Sequence, residues 1–366
     1  MYAFSKSSRS HPPQAGRGHN RDRAGDRGQR QDGRGGGGRA RLVELTPTAP
    51  NEPLILPDEP ANSVEQILYF GLCLVGFDRK RQERVKTDSL LLINRFIAHY
   101  GPVPITVKYL MEALAQKFGP TQHNLRSVLM TLHWFKCYQT EHVLAGVWQF
   151  GEEYIRNKVK EVAAAIQSLY EETIVFDPSM FEEDEVHWIT VDTVNYIVQE
   201  FRCNPGVVWF DPKSRSAGLK YEFGLPIRHD FCAWKRGPFQ PGKDHDKTIF
   251  CGADNKDTPK HKWSRSALYF KLPSGKKAIA DSAYEGIPEK VTVKRHGQSK
   301  EVNDFIDRAQ NRQEAYHARL DSFAVLRDRF RHGTSTENKM KIHNMCVEAI
   351  MVVVQFDLRS RPLWET

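Results

Sequence analysis

The spacing of apolar residues divides the chain into a helical first half and a mixed second half. Between residues 64 and about 169, three segments have apolar residues three or four positions apart: TDSLLLINRFIAHYG, ITVKYLMEALAQKFG and LRSVLMTLHWFKCYQ. That spacing is typical of helices with one buried face. The first two segments end at Gly101 and Gly119, and glycine commonly terminates helices. This half is predicted to be mostly α-helical.

Two more helices are predicted on either side of Gly151. The first covers residues 141–148 and the second runs from 152 to about 169, with Tyr154, Ile155, Val159, Val162, Ala163 and Ile166 facing inward. This arrangement has the form of a helix-turn-helix. In a DNA-binding protein the second helix would present four polar residues to the groove and phosphates: Arg156, Asn157, Lys158 and Lys160. Two packed helices with a charged solvent face are the alternative.

Beyond Phe176 the pattern changes to alternating β-branched and aromatic residues between turn clusters. It predicts strands at 186–198, 218–227 and 230–237, the last two joined by a tight turn, and a short buried strand at 278–280. A short helix is predicted at HDKTIF, a long amphipathic helix over 301–332 with Val302 and Phe330 on its apolar stripe, and a last helix from about 336 to 356. The second half is therefore predicted to be an α/β domain.

Length and composition allow two domains and a tail. The chain has 366 residues, 40% of them apolar, which suffices for extensive cores. The longest apolar runs, ILYFGLCLVGF and AIMVVVQF, are shorter than the roughly 18 to 20 residues that cross a bilayer, so no membrane partner is expected. The six cysteines include no CxxC pair and the N-terminus has no apolar signal core, which favours a reducing intracellular setting without a zinc knuckle.

The positive charge is concentrated at the N-terminus. Residues 1–42 have ten Lys and Arg against three Asp, whereas the rest of the chain has 43 basic and 42 acidic residues. Residues 1–63 are predicted to be a disordered basic tail followed by a Pro-rich linker. Arg interspersed with Gly suits salt-sensitive contact with nucleic acid phosphates, which favours a nuclear protein; a solubilising or targeting extension is the alternative.

Four acidic residues stand out by their positions. Asp192 lies within a predicted strand, Asp246 at the start of a short helix, Asp281 at the end of the run KKAIAD, and Glu314 on the long helix. Each has a structural alternative: Asp281 closes a turn, Asp246 caps a helix, and Glu314 is solvated. A carboxylate between valines, as at Asp192, requires compensation or an opening to solvent.

Carboxylates that converge repel each other unless a cation neutralises them. Oxygen ligands alone favour Mg²⁺ or Mn²⁺ over zinc. Two such ions activate a water or a 3′-hydroxyl for in-line attack on a phosphodiester. The sequence therefore indicates a possible metal-dependent nuclease site.

The order of several blocks resembles a known family. VDTV, GLKYEFGLPI, GPFQPGKDHDKTIF, KKAIADSAYEG, RQEAYHARLDSFAVLRDRFRHG and VEAIMVVVQF follow each other over about residues 170–362. This series resembles the DDE superfamily endonuclease domain of PIF/Harbinger-like transposases. TLHWFKCYQTEHVLAGVWQFGEEYIRNKVKE is similar to the helix-turn-helix segment that precedes that domain.

The resemblance implies an α/β fold with an RNase H-like mixed sheet and flanking helices over 171–366. It would be preceded by a mostly helical, helix-turn-helix-bearing DNA-binding segment over 64–170 and by the disordered tail. Asp192 matches the first acid and Glu314 the last. Asp246 and Asp281 both match acidic positions; the RNase H-like order puts the second acid at the end of the fourth strand, which favours Asp281 and leaves Asp246 as a fourth metal ligand.

The resemblance also implies the partners and the chemistry. The expected partner is DNA, with a separate DNA-binding protein as a possible second partner, and the expected cofactor is Mg²⁺ or Mn²⁺. Arg329, Arg331 and His332 are candidates for phosphate contact, with a solvated helix end as the alternative. The chain departs from the family at Thr193, Asn195 and Tyr196, where Gly and His are common, and at Asp321. A domesticated DNA-binding protein without nuclease activity is therefore the alternative function.

Overall fold

The computed structural model describes residues 63–77, 89–201 and 206–363. All of them belong to one compact unit, Leu56–Thr366. The predicted tail and nearly all of the linker, residues 1–62, lie outside the described residues.

The described part of the first half is helical, as predicted. Its helices are α1 (Val64–Leu74), α2 (Ser89–Tyr100), α3 (Pro104–Phe118), α4 (Leu125–Cys137), α5 (Glu141–Trp148), α6 (Glu152–Gln167) and the single turn α7 (Tyr170–Thr173). Gly101 and Gly119 follow α2 and α3 at φ +94°, the left-handed region that favours glycine. The predicted inward face of α6 is confirmed except at Tyr154, which is 46% exposed and packs against Phe150 with the two rings tilted.

The second half forms a six-stranded mixed sheet. Its strands are β1 (His187–Ile197), β2 (Phe210–Asp211), β3 (Ser216–Pro226), β4 (Trp234–Phe239), β5 (Lys277–Ile279) and β6 (Val291–Thr292). The order is β2-β3-β1-β5-β6, with β4 also pairing with β3. β1 is antiparallel to β3 and parallel to β5, and β5 is parallel to β6. The sheet is therefore antiparallel on one side of β1 and parallel on the other.

The prediction of a strand over 230–237 was wrong at its start. Residues 230–233 form an irregular connection, and the strand begins at Trp234. The backbone N–H of Cys232 donates to Oε1 of Gln355 at 3.0 Å, and that of Ala233 donates to the carbonyl of Gly224 on β3 at 3.0 Å, so both a distant helix and the neighbouring strand fix this connection.

The remaining helices flank the sheet. They are α8 (Asp246–Cys251), α9 (Leu268–Lys271), α10 (Lys300–Asp321), α11 (Ala324–Arg327) and α12 (Thr336–Leu358). The prediction of one helix over 301–332 was wrong, because α10 ends at Asp321 and Phe330 forms a bridge with Val198 beside the sheet. Val302, placed on its apolar stripe, is 44% exposed.

The helical half and the sheet share one hydrophobic core. Leu110 of α3, Ile166 of α6, Tyr221 of β3 and Val353 of α12 belong to the same buried cluster. A second cluster lies on β1, β5 and α8. Among the helices that the structure describes, none is long and apolar enough to cross a membrane.

Candidate functional site

Asp192 lies in β1, and Asp281 lies two residues beyond the end of the adjacent parallel strand β5. Thr190 of β1 pairs with Ile279, the last residue of β5, and each aspartate follows two residues later in the chain. Asp281 is exposed, and its Oδ1 accepts a hydrogen bond from the backbone N–H of Ala283 at 2.9 Å. Asp281 therefore caps a turn at the end of β5, and the same position brings it beside Asp192.

The electrostatic surroundings of Asp192 are those of a partly buried acid among other acids. Burial raises its pKa to about 7, and the negative charges of Asp281 and Asp246 act in the same direction. The backbone N–H of Thr193 donates to its Oδ1 at 2.7 Å and opposes the shift. The side chain is still 36% exposed, so a ligand can reach it from solvent.

Asp246 is the third acid that the fold brings to this region. It begins α8, whose N-cap is His245, so the alternative that Asp246 caps this helix does not hold. Its Oδ1 accepts hydrogen bonds from Oγ1 of Thr193 at 2.7 Å and from Nζ of Lys220 at 2.9 Å. Thr193, the residue next to Asp192, therefore links Asp246 to β1.

Glu314 is not joined to these three aspartates. It is exposed on α10 and, within the described chain, makes no hydrogen bond or ion pair to Asp192, Asp246 or Asp281. In the same part of the chain, only His99, His133 and Cys137 bring three potential metal ligands within 4.8 Å of one another. The predicted acids are therefore spaced more widely than ligands gathered around a single ion.

The side chains of α10 that reach Asp192 are polar residues that the sequence did not single out. Oγ1 of Thr190 donates to Oε1 of Gln313 at 2.6 Å. This contact orients the Gln313 amide, so that its Nε2 donates to Nε2 of His317 at 3.0 Å. Nδ1 of His317 then carries the ring proton and lies 3.6 Å from Oδ2 of Asp192.

His317 is uncharged in this arrangement. Burial lowers its pKa to about 4, so the ring brings no positive charge to Asp192 at pH 7. The signal in the sequence is a polar residue on an apolar stripe: Gln313 falls four positions after Ala309 and three before Tyr316, both of which are buried.

Glu222 is a fifth acid near the site. It lies opposite Thr193 in the β1–β3 pairing and is fully buried. Its Oε1 accepts a hydrogen bond from Nε1 of Trp234 at 2.8 Å, whereas its Oε2 has no partner among the described residues. Burial raises the pKa of Glu222 to about 7, and the charge of Asp246 also raises it. The available signal was a pair of charged residues, Lys220 and Glu222, within the mostly apolar strand predicted over 218–227.

The basic residues predicted on α6 are partly neutralised by neighbouring acids. Nε of Arg156 donates to Oε1 of Glu141 at 2.8 Å, and its guanidinium also contacts Oε2. Lys158 pairs with Glu161 at 2.7 Å. Asn157 and Lys160 are exposed. Only part of this predicted DNA-contacting face is therefore free of competing carboxylates.

The basic residues after α11 differ from one another in their surroundings. Arg329 is exposed. Arg331 is held against Tyr138, because its guanidinium donates to the Tyr138 carbonyl at 2.7 Å and lies 4.5 Å from the ring centroid. His332 packs against the rings of Trp134 and Tyr138, and burial lowers its pKa.

The group of His99, His133 and Cys137 is better explained by packing than by metal binding. Nε1 of Trp148 donates to Nδ1 of His133 at 2.9 Å. The neutral ring therefore carries its proton on Nε2, so neither nitrogen offers a free lone pair. A metal-bound histidine instead donates its second N–H to an acceptor, and the Trp148 indole can only donate.

Comparisons of the chain with family models, with curated proteins and with solved structures each returned no match.

Proposed function

We propose that this chain is a metal-dependent DNA endonuclease of the DDE type, derived from a Harbinger-like transposase and acting in the nucleus. The observation that carries the proposal is that three aspartates from separate elements lie in one region. The pairing of β1 with β5 brings Asp192 near Asp281, which follows β5, and the charges of Asp281 and Asp246 both act on Asp192.

The strand connectivity supports an RNase H-like fold. Apart from the two-residue β2, β5 is the fourth strand of the sheet in chain order. Asp281 thus stands at the end of the fourth strand, where that fold has its second acid. The mixed sheet, with α10 packed on β1 and β5 through Gln310, Gln313 and His317, agrees with this assignment.

The donor set fits Mg²⁺ or Mn²⁺. Asp192 and Asp281 provide hard oxygen ligands, and a cation between them would relieve the repulsion that helps to raise the pKa of Asp192. Asp246 would join them after giving up or sharing its contact with Lys220, and Glu314 would approach from the exposed side of α10. When bound, such ions activate a water or a 3′-hydroxyl and stabilise the leaving oxygen.

The residues of the chain have separate roles in this proposal. Asp192 and Asp281 would hold the ions, and His317, itself fixed by its hydrogen bond with Gln313, would orient the Asp192 carboxylate. The exposed side of Asp192 and Asp281 leaves room for a DNA backbone to approach. Exposed cations on α6 and after α11, such as Lys160 and Arg329, would contact phosphates and contribute affinity rather than sequence discrimination.

Cleavage of supercoiled DNA tests the proposal. The wild-type chain with Mg²⁺ or Mn²⁺ is expected to nick the plasmid, and Asp192→Asn to abolish nicking. Asp304→Asn is the matched control, because Asp304 is an exposed aspartate on α10. Equal nicking by the wild type and Asp192→Asn would refute the proposal.

A second function, DNA binding without cleavage, is favoured by one specific observation. Lys220 already neutralises Asp246 from within the chain, while Glu314 remains apart from the other acids. This alternative predicts DNA binding that weakens steeply with salt and no uptake of Mn²⁺. Calorimetry with Mn²⁺ separates the two: micromolar-range uptake that is lost in Asp192→Asn and weakened in Glu314→Gln supports the enzyme.

A further inference from the structure

The connection between α8 and β5, taken with the first residue of β5, is rich in basic residues. Residues 252–277 have seven Lys and Arg against two Asp, a net charge of +5. The rest of residues 43–366 has 36 basic and 40 acidic residues, a net charge of −4. Residues 252–277 therefore carry a net positive charge, whereas the rest of residues 43–366 taken together does not.

Most cations of this connection are exposed and are not paired with acids. Five of them are exposed: Lys256, Lys260, Lys262, Arg265 and Lys271. Within the described residues, no carboxylate forms a salt bridge with any of these five, in contrast to Arg156 and Lys158 of α6. We call these five residues the basic face.

Aromatic rings fix two members of the basic face. Nζ of Lys260 lies 5.5 Å from the ring centroid of Trp263, and the guanidinium of Arg265 lies 4.4 Å from that of Phe270. Cation–π contacts of this kind restrain a side chain without neutralising its charge. The two charges are thus held in place and remain available to an anion, which distinguishes them from freely moving surface lysines.

The basic face is anchored beside the aspartates. The backbone N–H of Ser264 donates to the carbonyl of Gly252 at 2.7 Å. Gly252 has φ +74°, and a Cβ there would lie 2.5 Å from the Ser264 carbonyl oxygen, so this close approach requires glycine. Gly252 follows α8, which begins at Asp246, and a helix of six residues is about 9 Å long.

A second set of contacts links the same connection to Asp281. The ring of Tyr269 packs on Phe250 of α8, and Phe250 packs edge-on against Tyr284 with ring centroids 5.9 Å apart. Tyr284 belongs to the turn that Asp281 caps. The elements that hold the basic face are therefore those that position Asp246 and Asp281.

We propose that the basic face, Lys256, Lys260, Lys262, Arg265 and Lys271, binds the DNA phosphate backbone next to the aspartates. This inference rests on the proposed function, because it supplies the surface that holds the duplex against the acids. The unpaired cations attract the negatively charged DNA backbone. Such contact with phosphates depends on the salt concentration and not on the DNA sequence. It places the main phosphate contact of the folded part on this connection rather than on α6.

The test is the salt dependence of DNA binding by the full chain, measured by fluorescence anisotropy with a labelled random-sequence duplex in EDTA. The first test protein is the triple variant Lys260→Gln, Lys262→Gln, Arg265→Gln. The magnitude of its negative slope of log affinity against log salt is expected to fall by about 2 to 3, since each lost phosphate contact removes about 0.9. The variant Lys256→Gln, Lys271→Gln is expected to lower it by about 1 to 2 and tests the same face without touching the ring contacts.

The matched control is the triple variant Lys300→Gln, Lys341→Gln, Arg308→Gln. Like the first test variant it loses two Lys and one Arg, but from exposed positions on α10 and α12. It is expected to leave the slope unchanged. Equal loss in control and test variants, or no loss in either variant of the face, would overturn the proposal. The proposal would also be overturned if the variants of the basic face bound DNA as the wild type does but lost binding to phosphatidylserine vesicles or to duplex RNA.

The outcomes separate this proposal from the nuclease proposal. No cleavage occurs in EDTA, so a reduced slope supports the basic face even where the plasmid assay shows no nicking. Conversely, nicking that depends on Asp192 together with an unchanged slope supports the nuclease and refutes the basic face.

Discussion

The ammonium group of Lys220 lies 2.9 Å from Oδ1 of Asp246 and 3.0 Å from the carbonyl oxygen of Asp244. Lys220 is on β3 and only 7% exposed, so the chain supplies a buried cation to one of its own predicted metal ligands. A divalent ion at Asp246 has to displace or share this contact. The contact between Lys220 and Asp246 therefore opposes metal binding at Asp246 in the nuclease and replaces the metal in a DNA-binding protein without cleavage.

Lys220→Met is expected to destabilise the metal-free protein by about 2 to 3 kcal/mol. Removing one member of a buried ion pair leaves the other charge uncompensated, and the effect is reduced because the Asp246 side chain is 23% exposed. Urea unfolding in EDTA measures it. The double variant Lys220→Met, Asp246→Asn is expected to recover most of the loss; equal destabilisation of the single and double variants would show that the pair contributes nothing.

Stability is expected to fall as pH rises from about 4.5 to above 7, in part because of Glu222. Its pKa is raised from 4.5 to about 7 in the folded protein. The fold therefore favours the neutral form, and this stabilisation is complete below pH 4.5 and lost as pH rises through 7. The difference corresponds to about 3 kcal/mol.

Glu222→Gln isolates this effect, because Asp192 titrates in the same range and is present in both proteins. Urea unfolding at pH 5 and pH 8 is expected to show a smaller pH dependence in the variant than in the wild type. An identical pH dependence in the two proteins would contradict the assignment to Glu222.

His317→Ala is expected to weaken Mn²⁺ binding about 10- to 100-fold, the usual effect of removing a group that orients a metal ligand. His317→Asn is expected to retain most of the affinity, because its amide N–H lies near the position of Nδ1–H. Calorimetry with Mn²⁺ measures both variants. An alanine variant that binds like the wild type, or an asparagine variant as weak as alanine, would argue against an orienting role.

Glu141→Gln is expected to strengthen DNA binding by freeing Arg156. The guanidinium of Arg156 is bonded to the Glu141 carboxylate, which competes with any phosphate. The negative slope of log affinity against log salt should become steeper by about 0.9, the value of one added phosphate contact. Adding Arg156→Gln should abolish the gain; a gain that persists in the double variant would mean that α6 binds DNA through other residues.

Elements with a local period were predictable from the sequence. The helices α2 to α6 follow apolar residues three or four positions apart, and β1 follows an alternating pattern, so their bounds agree with prediction within a few residues. The end of α10 was not predictable in this way. The ring of Phe323 packs directly on Gly101, and Phe330 pairs with Val198, so distant partners interrupt a helical pattern that continues in sequence.

The sequence by itself determined where the acidic residues stand and in which kind of element each one lies, because strand and helix periods are local properties of the chain. It placed Asp192 within β1 and Asp281 at the end of β5, and it showed that the excess positive charge lies in residues 1–42. Only the tertiary structure decided which charges meet. The parallel pairing of β1 with β5 set Asp192 beside Asp281, and the fold placed Lys220, Glu222 and His317 around them, because electrostatic interactions depend on distances between elements far apart in the chain.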